Sequence, residues 1–302
     1  MKKFNIQRKT FLRLVTFALI IVGLIFTANF AKNDVSANHP VLIEGERDFD
    51  GDGLLGAMED ADNATDRVYG TIAAALLAAN GAANANGQAI IVTSGRFPEI
   101  VKIPNTDAGQ MTLNGVTVLE AAPGVMADID AVLAGNPNNA ARQAAPGIII
   151  NTDQTDRSVI LRNLHIRNWT DGILVSGAAR VQITNCRLDS NITFGIRAQG
   201  TSRVLISNTT VNASGMRFNP MPSVPNPGTG IRFEEQASGT VVDSVISGNT
   251  GTGLSNASTR QVLLARNTIF DNGTNVSGTS ASSFAKLSEE IQLEVEEPQH
   301  NK

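Results

Sequence analysis

The chain has 302 residues and one cysteine, and its 28 acidic residues outnumber its 24 basic residues, for a formal net charge of −4. This acidic balance argues against nucleic acid as a partner, because binding to phosphates needs a basic surface. The lone Cys186 excludes an internal disulfide, so the fold must be stabilised by burial alone.

The first 37 residues have the pattern of an export signal. Basic residues precede an apolar run from Leu14 to Phe26, and Val35-Ser36-Ala37 offers a small-residue cleavage site. A cleaved signal peptide and an uncleaved N-terminal anchor both fit this pattern, and in the second case residues 1–37 contact the membrane. Either alternative places the rest of the chain outside the cytoplasm, secreted or membrane-anchored.

A calcium-loop motif follows, within a predicted linker at residues 38–65. Its spacing is D-x-D-x-D-G-x5-E, and the predicted ligands are Asp48, Asp50, Asp52, the backbone carbonyl of Leu54, and Glu59. Alternate acidic residues turn their oxygens toward one ion, and the glycine allows the sharp turn. The alternative is a solvated acidic linker. Calcium is the one cofactor that the sequence predicts.

The segment from Asp66 to Asn80 is rich in alanine and leucine, which predicts a helix. Runs typical of strands follow at Ala89–Thr93, Glu99–Ile103 and Val116–Glu120. We expect this helix to cap one end of the repeat structure that begins with these strands, because bare sheet ends invite edge pairing.

One pattern recurs in the middle of the chain, and its glycines are 23, 35 and 23 positions apart: Gly172-Ile173, Gly195-Ile196, Gly230-Ile231 and Gly253-Leu254. A fixed period indicates stacked coils, and the longer interval indicates a loop inserted at 216–228. Each period of 23 residues contains three short alternating runs. The chain is therefore predicted to be all-β, with a parallel β-helix of three strands per coil over residues 66–272. The tail, residues 273–302, is either a second cap helix or a segment that orders on contact.

Rows of like residues along the stack have predicted roles. One row is predicted to form bends through side-chain bonds along the axis, and it contains Asn163, Asn185, Asn208, Ser244 and Asn267. The glycines are predicted to supply backbone freedom, and Cys186 to be a small buried residue.

An outward apolar row predicts an interface covered by the insertion Met216–Gly228 or by a tail helix over Ser283–Glu296. Its members are Ile160, Leu205, Val241 and Leu264.

Three segments carry a family resemblance: Ser94–Glu99 reads SGRFPE, Val159–Leu164 reads VILRNL and Val181–Cys186 reads VQITNC. They resemble the G-x-Y/F-x-E opening coil and two core strands of the pectate-lyase-like superfamily, which implies a right-handed parallel β-helix over residues 66–272. The resemblance does not extend to the catalytic motifs. Thr184-Asn185 stand where a pectate lyase has Asp-His, and the arginine segment R-x-P-x-x-R and the polygalacturonase signatures are absent.

The candidate site residues lie on the outer faces of the second and third strands of the coils. The predicted ligand-binding residues are His165, Trp169, Arg187, Arg197 and Arg232, because guanidinium groups bind carboxylates and an aromatic ring suits a sugar. Candidates for catalysis are Arg197, Arg232 and Asp171, the last corresponding to a calcium-binding aspartate of the family. The alternative is a solvated face on which the arginines pair with Asp171, Asp189 and Glu234.

Three functions are compatible with these patterns. The first is a secreted β-helix that binds polysaccharide or another cell-surface or cell-envelope component without catalysis. The second is a diverged, calcium-dependent polysaccharide lyase that acts by β-elimination on an acidic polysaccharide. The third is a structural or adhesive solenoid.

Overall fold

The computed structural model describes residues 41–43, 71–81, 88–92, 96–104, 106, 113, 116–121, 127–132, 139–215, 227–278 and 284–286. All of them belong to the second of two units, Met1–Asn38 and His39–Lys302. The predictions for residues 1–37, for the calcium loop at 48–59 and for most of the tail lie outside the described residues. No helix in the described ranges is long and apolar enough to cross a membrane.

The strands form three parallel sheets. The first contains β1 (Val41–Ile43), β2 (Gln88–Val92), β5 (Val116–Ala121), β8 (Ser158–Arg162), β11 (Arg180–Thr184), β14 (Arg203–Ser207), β17 (Ser238–Val242), β20 (Val262–Ala265) and β23 (Phe284–Lys286). The second contains β3 (Arg96–Phe97), β6 (Ala127–Asp130), β9 (Leu164–Arg167), β12 (Arg187–Asp189), β15 (Thr210–Asn212), β18 (Val245–Ser247) and β21 (Thr268–Phe270). The third contains β4 (Val101–Ile103), β7 (Ile148–Thr152), β10 (Asp171–Gly177), β13 (Phe194–Ala198), β16 (Thr229–Glu235), β19 (Thr252–Ser258) and β22 (Thr274–Gly278).

From β2 onward, successive strands of the chain enter the three sheets in turn, so each complete coil contributes one strand to each sheet. Period-2 alternation turns one row of apolar side chains inward from every sheet. Val181 in the first sheet, Leu188 in the second and Ile196 in the third are all fully buried. The described part of the chain thus confirms the predicted parallel β-helix with three strands per coil.

From β8 onward, each described bend between the first and second sheets contains one residue with a left-handed backbone. Asn163, Asn185 and Asn208 have φ values of 59°, 53° and 48°. Their amides bond along the axis, with 2.6 Å from Asn185 Nδ2 to Asn163 Oδ1 and 3.2 Å from Asn208 Nδ2 to Asn185 Oδ1. This part of the predicted row is confirmed.

The last two coils depart from the predicted alignment by one residue. Val204 pairs with Gly239, and Ile206 pairs with Val241, so the bend position falls on Asp243 and Arg266 instead of Ser244 and Asn267. The side chains of Asp243 and Arg266 form two contacts of 2.7 Å, and this ion pair takes the place of the asparagine ladder. Ser244 and Asn267 lie one position further along, buried behind the bend.

The glycine at position 239 explains this shift. A Cβ there would lie 2.5 Å from Cε1 of Phe233, so the large ring of Phe233 occupies the space that a valine fills in neighbouring coils. Because the register moves by one, Val241 points inward and is fully buried, and Leu264 packs against the core. The predicted outward apolar row is therefore wrong for these two residues.

The true outward row of the first sheet consists of Val118, Ile160, Gln182, Leu205, Thr240 and Leu263. Val118, Ile160 and Leu205 are exposed by only 6%, 0% and 9%. Most of the two segments predicted to cover this row, the insertion Met216–Gly228 and the tail helix Ser283–Glu296, lies outside the described residues. The described ends of the insertion, Gly215 and Gly228, lie between the second and third sheets.

The predicted reason for the repeated glycines is wrong. Gly172, Gly195 and Gly230 do not have a left-handed backbone. A Cβ on each of them would lie 2.6 Å from the carbonyl oxygen of the glycine in the next coil. The glycines are needed because adjacent coils approach closely at this point, and any side chain would push them apart.

The predicted cap helix is confirmed as α1 (Ile72–Gly81), which packs against β1, β2 and β4 at the N-terminal end. Its first turn is capped by a residue far along the chain, since Glu99 Oε1 accepts from Ile72 N at 2.7 Å and Glu99 Oε2 from Ala73 N at 3.0 Å. Burial raises the pKa of Glu99, although these two hydrogen bonds oppose the rise. A second short helix, α2 (Asn139–Gln143), precedes β7.

At the C-terminal end the structure differs from the prediction. The tail segment contains β22, which extends the third sheet, and β23, which extends the first sheet by pairing with β20. Phe284–Lys286 therefore form a strand where a helix was expected to begin. Residues 287–302 lie outside the described part of the chain.

Candidate functional site

The second sheet places a histidine between two carboxylates on its outer face. His165, Asp128 and Asp189, here called the histidine cluster, come from three successive coils, with His165 Nδ1 2.5 Å from Asp128 Oδ1 and His165 Nε2 2.8 Å from Asp189 Oδ2. Burial lowers the pKa of His165, but the hydrogen bonds to both carboxylates outweigh it and raise the pKa. Both carboxylates have lowered pKa values, because their bonds to His165 and to neighbouring arginines outweigh burial.

The arginines around this cluster are also paired. Arg167 reaches Asp128 Oδ2 at 2.9 Å and Asp130 Oδ2 at 3.1 Å, and Arg96 lies 3.4 Å from Asp130. Arg187 Nε donates to Asp189. The predicted ligand-binding residues His165 and Arg187 thus lie on a face where basic and acidic side chains pair with each other, as the alternative interpretation of the sequence expected.

Trp169 does not belong to an exposed site. Its side chain is fully buried, and its Nε1 donates to the carbonyl oxygen of Ile129 at 2.8 Å. Gly147 leaves room for the ring, since a Cβ there would lie 2.6 Å from Trp169 Cδ1. The prediction that Trp169 stacks on a sugar is wrong, because the bend turns this ring into the core.

The third sheet brings the other two predicted arginines together. Arg197 and Arg232, here called the arginine pair, are direct neighbours in the register of β13 and β16. One carboxylate holds both, with Arg197 Nε 2.8 Å from Glu234 Oε2 and Arg232 Nε 2.6 Å from Glu234 Oε1. The two guanidinium groups also lie over the ring of Phe194, at 5.2 and 5.8 Å from its centroid, a cation–π arrangement.

Asp171 completes this group from the preceding coil, where it pairs with Phe194 in the register. Its Oδ2 lies 4.0 Å from Arg197 Nη1, and its side chain is only 6% exposed. In the described part of the chain, its Oδ1 is buried without a hydrogen-bond donor. Burial raises the pKa of Asp171 to about 6, with Arg197 opposing the rise and Glu234 adding to it.

Together these residues can hold an anion on the surface of the third sheet. Glu234 engages each guanidinium through Nε, so the Nη groups of both arginines are placed for a further acceptor, and their side chains are 33% and 34% exposed. Paired guanidinium groups suit carboxylates, which they bind bidentately. The described end of the insertion, Gly228, directly precedes Thr229, which pairs with Phe194 in the register.

The predicted sites thus fall on two faces: His165 and Arg187 on the second sheet, and Asp171, Arg197 and Arg232 on the third. The described residues contain no cluster of histidine, cysteine and acidic side chains that could hold a metal. Cys186 is buried, and burial raises the pKa of its thiol to about 12, which agrees with the predicted role of a small core residue. The predicted calcium ligands lie outside the described residues.

Sequence reasoning missed two participants, Phe194 and Asp128. Phe194 directly precedes Gly195 and so stands at the same position of the repeat as Asp171, but no role was predicted for its ring. Asp128 stands opposite His165 in the register, but it belongs to an early coil whose pattern is less regular.

Comparison with known proteins identifies the fold. Residues 146–292 match the family model described as "Right handed beta helix region". This match and the three parallel sheets confirm the predicted right-handed parallel β-helix. No curated protein matches the chain.

Two solved structures of a pectin methylesterase from Aspergillus niger resemble the chain. The deglycosylated form is 14% identical, with a TM-score of 0.32, and the alignment covers 85% of this chain and 92% of that chain. The penultimately deglycosylated form is 13% identical, with a TM-score of 0.29, and the alignment covers 74% and 87%. Resemblance at this level carries no argument about activity.

Proposed function

We propose that this right-handed parallel β-helix binds acidic polysaccharide outside the cytoplasm, through the arginine pair on the third sheet. The observation that carries the proposal is that Glu234 fixes both guanidinium groups through their Nε atoms. A ligand carboxylate would then meet donors that are already oriented, so little side-chain entropy is lost on binding. The location outside the cytoplasm rests on the signal pattern of residues 1–37.

The ligand class follows from the spacing and chemistry of the pair. Adjacent coils lie about 4.8 Å apart, so the arginine pair offers two cationic groups side by side along the solenoid axis. Arginine binds carboxylates and sulfates with a planar fork of donors, and a chain of uronic acids presents carboxylates repeatedly along its length. The solenoid continues beyond the pair on the same outer row with Ser255 and Ser277. Ser255 is buried and accepts from the partly exposed Ser277, whose hydroxyl group suits a sugar hydroxyl.

Binding to polygalacturonate, measured by calorimetry, tests the proposal. We expect Arg197→Ala and Arg232→Ala each to weaken binding by roughly 10- to 100-fold, since a hydrogen bond to a charged group contributes about 1.5–3 kcal/mol. Arg187→Ala is the matched control, because it removes an arginine from the second sheet, and it should bind as the wild type does. Equal losses in all three variants, or no binding by the wild type, would refute the proposal.

One observation favours the lyase as a second candidate. Asp171 is a buried carboxyl with a pKa of about 6 next to a guanidinium group, and perturbed groups of this kind are common in active sites. The same polygalacturonate samples should therefore be followed by ultraviolet absorbance. Growth of the unsaturated-uronate band, lost in Arg197→Ala, would make the protein a lyase. A protein that neither binds nor cleaves but self-associates would be a structural or adhesive solenoid.

Calcium at residues 48–59 forms a separate part of the proposal. It rests on the spacing of the acidic residues in the motif, where Glu59 closes the shell bidentately. Millimolar calcium should raise the melting temperature of the wild type and leave that of Glu59→Gln nearly unchanged. An equal rise in both proteins would contradict a site in this loop.

A further inference from the structure

We infer that Asp171 couples ligand binding at the arginine pair to the uptake of a proton. In its ionised form Asp171 competes with the ligand for Arg197, and in its neutral form it leaves Arg197 to the ligand. This inference rests on the proposed function, and it adds a regulatory residue to a site whose ligand contacts lie on Arg197 and Arg232.

The geometry places Asp171 as an internal competitor. Its Oδ2 is 4.0 Å from Arg197 Nη1, a distance too long for a hydrogen bond and short enough for strong attraction between charges. Arg197 Nε is already held by Glu234 at 2.8 Å, so the Nη groups are what a ligand and Asp171 would share. A ligand anion therefore meets more positive charge when Asp171 is neutral.

The burial of Asp171 makes its neutral form accessible near neutral pH. One carboxyl oxygen is buried without a donor in the described chain, and a carboxylate in that position is costly. Burial accordingly raises the pKa to about 6 against the effect of Arg197. Below this pH the group formed by Asp171, Arg197, Arg232 and Glu234 has a formal charge of +1, and above it the charge is zero.

Within the described part of the chain, the charges that act on Asp171 come from the two following coils. The charged residues that act on Asp171 are Arg197 from β13 and Glu234 from β16. The preceding elements α2 and β4 carry the basic residues Arg142 and Lys102. Glu234 is held by both arginines through its two oxygens.

Coupling of this kind has a direct thermodynamic signature. If binding favours the neutral carboxyl, a bound anion raises the proton affinity of Asp171 by the same factor, because linkage is reciprocal. Affinity should then fall by up to about tenfold per pH unit above the pKa. The decrease between pH 5 and pH 8 would reach roughly 100-fold.

Calorimetry with oligogalacturonate at pH 7, in two buffers with different ionisation enthalpies, counts the protons bound. We expect the wild type to take up close to one proton per site and to bind far more tightly at pH 5 than at pH 8. Asp171→Asn should take up none and bind equally at both values. Asp243→Asn is the control, since it removes a carboxylate paired with Arg266 on a distant bend, and it should behave as the wild type does.

Wild-type binding without proton uptake, or a pH dependence that persists in Asp171→Asn, would overturn the coupling and leave the proposed function standing. No binding at either pH would instead refute the proposed function itself. If Asp171→Asn fails to fold, the number of protons taken up by the wild type still tests the coupling.

Discussion

A Cβ on Gly195 would lie 2.6 Å from the carbonyl oxygen of Gly230 in the next coil and 2.4 Å from Cγ1 of Val211. Distances below 3 Å to backbone cannot be relieved by a side-chain rotation. The coils therefore approach each other closely along the glycine row, within β13 and β16, the same two strands that carry the arginine pair. The spacing of the two arginines depends on this contact.

Gly195→Ala should destabilise the fold because the methyl group forces two coils apart. We expect a loss of about 3 kcal/mol in the free energy of unfolding, measured by urea denaturation. Gly248→Ala is the control, since its nearest contact would be 3.8 Å away and only its φ of 64° opposes alanine. That variant should lose only about 1 kcal/mol, and equal losses in the two would contradict the steric account.

His165→Gln should destabilise the protein, because it leaves Asp128 and Asp189 facing each other without the imidazolium. Removing one partner of a largely buried ion pair costs about 3 kcal/mol, and we expect this at pH 6. Arg187→Gln, whose side chain is more than half exposed, should cost less than about 1 kcal/mol.

The raised pKa of His165 also fixes how stability depends on pH. The folded state binds the proton more tightly than the unfolded state does, so this contribution is fully present below pH 6.5 and is lost as pH rises through the folded pKa. Urea denaturation between pH 6 and pH 10 should show this decrease in the wild type. A decrease of the same size in His165→Gln would assign it to other groups.

Asp171 should make the folded protein less stable as pH rises. Its pKa of about 6 in the fold exceeds the ordinary 3.8, so the folded state holds the proton between these values and stability falls across that window. The fall corresponds to about 3 kcal/mol. Asp171→Asn should therefore be more stable than the wild type at pH 8, and a variant that is less stable at pH 8 would contradict the burial of an ionised carboxylate.

Cys186 should be inert to thiol reagents in the folded protein. It is buried and its pKa is raised to about 12, so little thiolate exists at pH 8. We expect labelling by a chromogenic disulfide reagent only in urea, in parallel with unfolding followed by the fluorescence of the buried Trp169. Rapid labelling in native buffer would contradict its place in the core.

Much of the fold was predictable, because alternating apolar residues and a fixed period specify stacked strands. The prediction succeeded where coils have equal length, as from Val159 to Val211. After the insertion the predicted register is wrong by one residue. There the residue type at the bend changes from Asn208 to Asp243, and the large Phe233 faces Gly239. The alignment was based on the asparagine at the bend. It therefore could not detect that a different side chain fills the interior of this coil.

The candidate site was predictable only in part. The stacking of Arg197 on Arg232 followed from the period, but their joint bond to Glu234 depends on the side-chain conformations of three residues. Whether the Trp169 side chain points inward or outward could not be predicted from the alternation of apolar residues, because Trp169 lies in a bend and not in a strand. Asp128 was missed because the early coil that contains it is interrupted by long connections, so the row that leads to His165 could not be extended by period alone.

Hydrogen exchange in the presence and absence of oligogalacturonate, followed by mass spectrometry at pH 5, tests the central claim most directly. Binding at the arginine pair predicts new protection in peptides that span 194–198 and 229–235, with none in peptides that span 164–167 and 187–189. Protection confined to the second sheet, or absent from both faces at saturating ligand, would contradict it.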